Sequence, residues 1–381
     1  MNTITLLQPP CIVFGNGCAP QCAEFLAQRG VRRALLVSST SVLPLLEAVT
    51  DALKKSNVAI VLSVMVDCEP TQKLFEGILQ AARTEKIDGV LGIGGGSVID
   101  VAKLVAALAR GQQTVPEIFG TNLLADRQLT LVCLPTTAGT GAEVSPNAIL
   151  LDESDELKKG VVSPYLVADA AYIDPLLTLT VPPAVTAATG LDALTHCIEA
   201  YANKFAHPLV DTYALQGVKL IAKNLARAVG NGNDIEARAA LSLGSLYGGL
   251  CLGPVNTAAV HALAYPLGGR FRIAHGVSNA LLLPHVLRFN FSAAPERYAE
   301  ISVALGVIRN GSALATAEHG VEFLTRLSLD CGVPQKLSAL KIPHDAIPWL
   351  AGSAIKVTRL LKNNLRALTE ADAAQIYEAA Y

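Results

Sequence analysis

A chain of 381 residues is longer than one hydrophobic core usually organises, so two domains are expected. Charged residues make up only 16% and the formal net charge is -2, which leaves no basic surface for nucleic acid and no charged tail that would favour disorder. The apolar fraction is 51%, yet charges recur too often for an uncharged run that could cross a bilayer, and MNTITLLQPPC lacks the marks of a signal peptide.

The first half alternates apolar runs with helical stretches. RALLVSS predicts a strand, SVLPLLEAVTDALKKS a helix, VAIVLSVMV a strand and TQKLFEGILQAARTEK a helix. GVLGIGGG then reads as a strand running into a turn, SVIDVAKLVAALARG as a helix and LTLVCLP as another strand. This is the spacing of a doubly wound, parallel, nucleotide-binding sheet.

Gly94, Gly95, Gly96 and Ser97 fall between an apolar strand and a helix, where backbone amides at a helix start can hold a phosphate. They do not make a Gly-x-Gly-x-x-Gly fingerprint, and a tight turn uses glycine without any ligand. LPTTAGTGAEVS puts Thr136, Thr137 and Thr140 just past a predicted strand end, the edge where open parallel sheets bind ligands; helix capping is the alternative use.

From about Val181 the texture becomes helical, with Pro175, Pro182 and Pro183 marking the join, so the domains are expected at 1–180 and 181–381. Asp192 and His196 are four apart and share one helical face. His261 and His275 follow, separated by a Gly268-Gly269 break at which the chain could turn back. Three imidazoles and one carboxylate suit a transition metal better than calcium or magnesium. His207, His285, His319 and His344 read as packed or solvent-facing. The eight cysteines contain no Cys-x-x-Cys pair and read as reduced thiols, which suits the cytoplasm.

GIGGGSVIDVAK, PTTAGTGAEVSPNAIL, IDPLLTLTVP, GLDALTHCIEAY and HGVSNALLLPHVLRFN together make the chain resemble the iron-containing, group III alcohol dehydrogenases nearly end to end. The resemblance implies a dehydroquinate-synthase-like fold: an N-terminal Rossmann-like α/β domain, an all-helical C-terminal domain, and a catalytic metal in the cleft between them. It implies Asp192, His196, His261 and His275 as metal ligands, with iron expected and zinc the rival. It also puts Gly95, Gly96 and Ser97 on the cofactor pyrophosphate, with Asp100, Thr136, Thr137 and Thr140 nearby. Lys158, or else Lys159, would reach the ribose region. A homodimer or larger homo-oligomer is implied as well.

Two departures stand out. Members that prefer NAD commonly carry an aspartate after the second strand, where it accepts from the ribose 2'-hydroxyl and repels a 2'-phosphate. Here Ser39 stands at that place, and Ser38, Ser39 and Thr40 could donate to a phosphate, which favours NADP(H) slightly over NAD(H) although no arginine completes the site. Many members also have a histidine four residues after the metal-binding one. Tyr265 replaces it; tyrosine can hydrogen-bond but is a poor base at neutral pH, so its role is left open.

The expected chemistry is hydride transfer between a primary alcohol or aldehyde and a nicotinamide cofactor, with a metal polarising the oxygen. Arg270 and Arg272, between two ligands, could clamp an acidic substrate or simply face solvent. A dehydroquinate-synthase-like lyase shares the plan but needs a denser basic cluster; glycerol dehydrogenases and semialdehyde-acid reductases are alternatives within the superfamily, and a non-catalytic sensor has no added module to support it.

Overall fold

A computed structural model describes residues 3–153 and 157–381. Its strands are β1 (Cys11–Phe14), β2 (Arg33–Val37), β3 (Ala59–Ser63), β4 (Gly89–Gly94), β5 (Gly120–Thr121), β6 (Thr130–Pro135), β7 (Asn147–Asp152), β8 (Leu157–Val162) and β9 (Ala170–Ile173). Six of them form a wholly parallel sheet in the order β1-β9-β6-β4-β2-β3. The central strands are apolar throughout because both faces are covered. Leu35 and Val37 of β2, Val90 of β4 and Leu131 and Cys133 of β6 enter one core; Ala34, Leu36, Leu91, Ile93, Val132 and Leu134 enter the other. A small second sheet pairs β5 with β8 in parallel and β8 with β7 antiparallel.

Helices α1 (Cys22–Gln28), α2 (Glu47–Lys55), α3 (Gln72–Thr84) and α4 (Gly96–Leu108) connect the strands, with a short α5 (Val115–Ile118) after them. The helix expected over 41–56 is split. Pro44 has no N–H to give, and the chain runs through a 3-10 turn at Thr40–Leu45 before α2 begins. Strand β1 at the sheet edge, β9 beside it, the two-residue β5 and the β7–β8 hairpin add to the strands expected from the sequence.

The second half contains α6 (Pro183–Tyr201), α7 (Pro208–Gly230), α8 (Ile235–Leu252), α9 (Ala259–Phe271) and α10 (His275–Asn290), followed by further helices to Ala379. Proline opens α6 and α7, where its missing N–H costs nothing. Leu194, Ile198, Val218, Leu263 and Leu283 share one core, and Tyr377, wholly buried, donates its hydroxyl to the Leu263 carbonyl at 2.6 Å. The chain divides into two compact units, Leu7–Thr137 with Gly141–Thr180, and Val181–Tyr381 with Met1–Leu6 and Ala138–Thr140. Among the described residues no helix is long and apolar enough to cross a membrane.

Candidate functional site

In the helical unit three helices bring four candidate ligand side chains near one another: donor atoms of Asp192, His261 and His275 lie within 4.8 Å of each other, and His196 approaches Asp192 from the same helix. Asp192 and His196 sit one turn apart on α6, His261 in the first turn of α9 and His275 at the first position of α10. Asp192 Oδ1 lies 3.5 Å from His261 Nε2, 3.8 Å from His196 Nε2 and 3.8 Å from His275 Nε2. The His196 and His261 rings stack with centroids 4.8 Å apart. Asp192, His196 and His261 are buried while His275 is partly exposed, so the cluster keeps one open flank.

The turn into α10 differs from the expected glycine break. Gly268 and Gly269 are inside α9, and the helix ends instead at Arg272, left-handed at φ 54°, whose N–H donates to the Gly268 carbonyl at 3.1 Å. Glycine alone does not break a helix whose flanking residues are packed, as Leu267 is here. Gly276 has the more demanding role. A Cβ there would come within 2.0 Å of the Ala188 carbonyl oxygen, so only glycine lets the start of α10 lie against α6.

Two polar residues absent from the expected site hold the candidate ligands. Glu199, two turns beyond Asp192 on α6, places Oε2 at 2.5 Å from His261 Nδ1 and accepts the Val260 N–H on Oε1 at 2.6 Å. It therefore caps α9 and fixes the imidazole with Nε2 turned toward Asp192. Asn279, one turn after His275, donates from Nδ2 to Asp192 Oδ1 at 2.7 Å, with His261 Nε2 at 3.2 Å and His275 Nε2 at 3.3 Å. Its Oδ1 is buried and has no hydrogen-bond partner among the described residues. Their spacing was readable: Glu199 is seven residues from Asp192 and Asn279 four from His275, on the same helical faces.

The electrostatics favour a cation at this point. Burial works against the Asp192 carboxylate, but the imidazoles of His196, His275 and His261 hold it well below the usual carboxylate range. Burial also opposes charging of His261, yet Glu199 and Asp192 lift it to about 9. His196 goes the other way, pushed down to about 4 by burial despite Asp192. A divalent ion satisfies the carboxylate and accepts three neutral nitrogens at once, and the orphaned Asn279 oxygen offers a further donor. The residues fit such an ion.

The sheet unit carries the second set. Gly95 caps α4, so the amides of Gly96, Ser97 and Val98 open its N-terminus at the carboxyl end of β4. Gly94 is glycine for packing: a Cβ there would meet Val98 at 2.6 Å. A Cβ on Gly95 would lie 3.5 Å from the Thr137 hydroxyl, and Thr136 donates its N–H to the Gly94 carbonyl at 3.0 Å, so the glycine and threonine loops adjoin. Thr140 belongs to the segment grouped with the helices. Asp100 accepts the Ile149 N–H at 3.0 Å, and burial raises its carboxyl to about 7 against the pull of Lys103. Lys158 is ion-paired with Glu69 at 2.7 Å, and both act on Asp100; Lys159 pairs with Asp152 at 2.5 Å.

The expected lean toward NADP(H) finds no support in the run after β2. The Ser38 hydroxyl is fully buried and donates to the Ile93 carbonyl at 2.7 Å, Ser39 shares a 3.1 Å hydrogen bond with Ser41, and Thr40 gives its hydroxyl to Asp67. Tyr265, one turn after His261, sets its ring 5.8 Å from that of His275. Arg270 stacks over Trp349 at 4.4 Å, and Arg272 is exposed. The other histidines stay outside the cluster: His207 caps α7, His344 meets Glu378 at 2.9 Å, His285 is partly buried and His319 exposed.

Residues 9–175 match the family described as iron-containing alcohol dehydrogenase, and residues 186–381 match the C-terminal part of the Fe-containing alcohol dehydrogenase family. The chain belongs to the iron-containing alcohol dehydrogenases. It is 40% identical to long-chain-alcohol dehydrogenase 1 of Geobacillus thermodenitrificans, over 100% of this chain and 98% of that one. It is 33% identical to the 1,3-propanediol dehydrogenase of Klebsiella pneumoniae, covering 98% of each. A crystal structure of a 1,3-propanediol oxidoreductase superposes with a TM-score of 0.97 at 33% identity and full coverage of both chains. An alcohol dehydrogenase from Oenococcus oeni gives 0.96 at 29%, again with full coverage. As a family member the chain is a metal-dependent oxidoreductase of alcohols and aldehydes that uses a nicotinamide cofactor, a reading that holds over the lyase alternative.

Proposed function

We propose that Asp192, His196, His261 and His275 hold one divalent ion, iron before zinc, and that the chain interconverts a primary alcohol and its aldehyde. The observation that carries this is the convergence of Asp192 Oδ1 with three imidazole Nε2 atoms. The dinucleotide rests on Gly94, Gly95, Gly96 and Ser97, with Asp100, Thr136, Thr137, Thr140 and Lys158 around it. When bound, the ion acts as a Lewis acid on the substrate oxygen and the nicotinamide carries the hydride.

The protein's own part is positional. Glu199 accepts from His261 Nδ1–H, which leaves the Nε2 lone pair for the ion, and the Asn279 amide fixes the Asp192 carboxylate. The α4 amides hold the pyrophosphate without a side chain in the way. Tyr265, beside His275 on the more exposed flank, orients the substrate hydroxyl by hydrogen bonding. We further propose a homo-oligomer, on the family resemblance, and a reducing cytoplasmic setting, which suits eight free thiols.

The test is reconstitution with iron(II) in the absence of oxygen and a panel of primary alcohols and aldehydes read by nicotinamide absorbance. Turnover in the wild type and its loss in His261→Ala, with dinucleotide binding retained, are expected. No turnover across the panel, or full turnover in the variant, overturns the reading.

A further inference from the structure

The loops that follow β2 and β3 are joined at the carboxyl edge of the parallel sheet. Ser38 donates its N–H to the Ser63 carbonyl at 2.8 Å, Val66 donates to the Ser38 carbonyl at 3.4 Å, and Ser39 pairs with Met65 as an antiparallel bridge. At the end of this join Asp67 accepts the Thr40 N–H on Oδ1 and the Thr40 hydroxyl on Oδ2, each at 2.7 Å. Both residues are exposed, and the hydrogen bonds from Thr40 hold the Asp67 carboxyl below its usual range. A negative charge is therefore fixed next to the end of β2.

Its position matters because β2 lies directly beside β4, in register from Ala34 opposite Gly89 to Val37 opposite Gly92. The glycine loop continues from the carboxyl end of β4. In open parallel sheets a dinucleotide anchored on such a loop extends its adenosine ribose over the end of the neighbouring strand, where a carboxylate accepts from the 2'-hydroxyl and repels a 2'-phosphate. Position 39, where that carboxylate usually stands, is serine here. The hydroxyls of Ser38 and Thr40 are committed to Ile93 and Asp67, so they do not form a cradle for a phosphate.

We infer that Asp67, entering from the loop after β3 and locked by Thr40, is the residue that selects NAD(H) over NADP(H) in this chain. The inference rests on the dinucleotide seat proposed above. It assigns the selecting charge to a different strand connection from the one that position 39 represents. The Thr40 N–H and hydroxyl are occupied by the carboxylate, so a 2'-phosphate meets a fixed like charge and gains no donor from Thr40 in return.

Two measurements test it on the full chain. The first compares kcat/KM for NADH and NADPH in aldehyde reduction for the wild type, Asp67→Asn and Asp67→Glu. The second compares calorimetric binding of ADP-ribose and its 2'-phosphate to the same proteins, which needs no turnover. The wild type should favour the unphosphorylated ligand by at least roughly tenfold, and this margin should shrink with added salt. Asp67→Asn should lose most of the margin through a gain with the phosphorylated ligand, and Asp67→Glu should keep much of it. An unchanged ratio in Asp67→Asn, a salt-independent margin, or a wild type that prefers the 2'-phosphate overturns the inference. Binding discrimination without any turnover would sink the oxidoreductase reading and leave this inference standing; a wild type that binds neither ligand overturns both.

Discussion

In the proposed function, recognition in the helical unit falls to side chains of α6, α9 and α10, whereas in the sheet unit it falls to backbone amides at the start of α4 and to what glycine leaves out. The first arrangement needs charged and imidazole groups buried together, at an electrostatic cost that only a cation relieves. The second needs no charge in the loop itself and depends on close helix-to-strand packing at Gly94 and Val98. The contrast teaches that one half should be sensitive to the chemistry of single side chains and the other to single methyl groups.

The largest expected effect is on the ion. His261→Ala should weaken metal binding by at least roughly 100-fold, measured by metal content after gel filtration, because losing a ligand exceeds the loss of an outer partner. Dinucleotide affinity, titrated by nicotinamide fluorescence, should stay within about twofold, since changes without shared partners act independently. Glu199→Gln comes next. It keeps the shape but removes the charge that orients His261, and metal affinity should fall by roughly 10- to 100-fold. An unchanged affinity would mean that Glu199 only caps α9.

Two glycine replacements sharpen the comparison at a smaller scale. Gly276→Ala forces a Cβ against the Ala188 carbonyl and should cost about 1–3 kcal/mol in chemical denaturation, with metal affinity falling and dinucleotide affinity kept. Gly94→Ala forces one against Val98 and should cost a similar amount with the losses exchanged. If both variants lose both ligands, the two seats are not separable in the way described.

The smallest expected effect is a pH slope in the sheet unit. Burial raises buried Glu143 to about 7, above the value of about 4.3 expected in an unfolded chain. A carboxyl raised in the fold contributes stability that is full below the unfolded value and is lost as pH rises through about 7, at no more than about 1.4 kcal/mol per pH unit. Glu143→Gln should therefore flatten the fall in melting temperature between about pH 4.5 and pH 7. A wild type with no fall over that range would contradict the assignment.

The same contrast explains what the sequence made legible. Asp192, His196, His261 and His275 stood out because the residue types are themselves the chemistry, and their helical spacing survives in α6. The central strands were legible because burial on both faces leaves unbroken apolar runs such as LTLVCLP. Strands β1 and β9 are apolar but only four residues long, too short to stand out, and the β7–β8 hairpin, with Lys158 and Lys159 in it, lacks an unbroken apolar run. Helix ends were harder: the Gly268-Gly269 pair looked like a turn but is helical, and the turn falls at Arg272. Glu199 could be placed on the Asp192 face by spacing, but its pairing with His261, like that of Asp67 with Thr40, arises only in the fold. Ser39 read alone suggested a phosphate site, because the carboxylate that faces this run arrives from another strand connection.

The four donors of the helical unit are proposed to seat a single ion. Calorimetric titration of iron(II), without oxygen, into chelator-stripped wild type and into an Asp192→Ala, His261→Ala double variant tests it most directly. Saturable binding of one ion per chain in the wild type and none in the double variant is the predicted result. Equal binding by both proteins, or no saturable binding by the wild type, would contradict it.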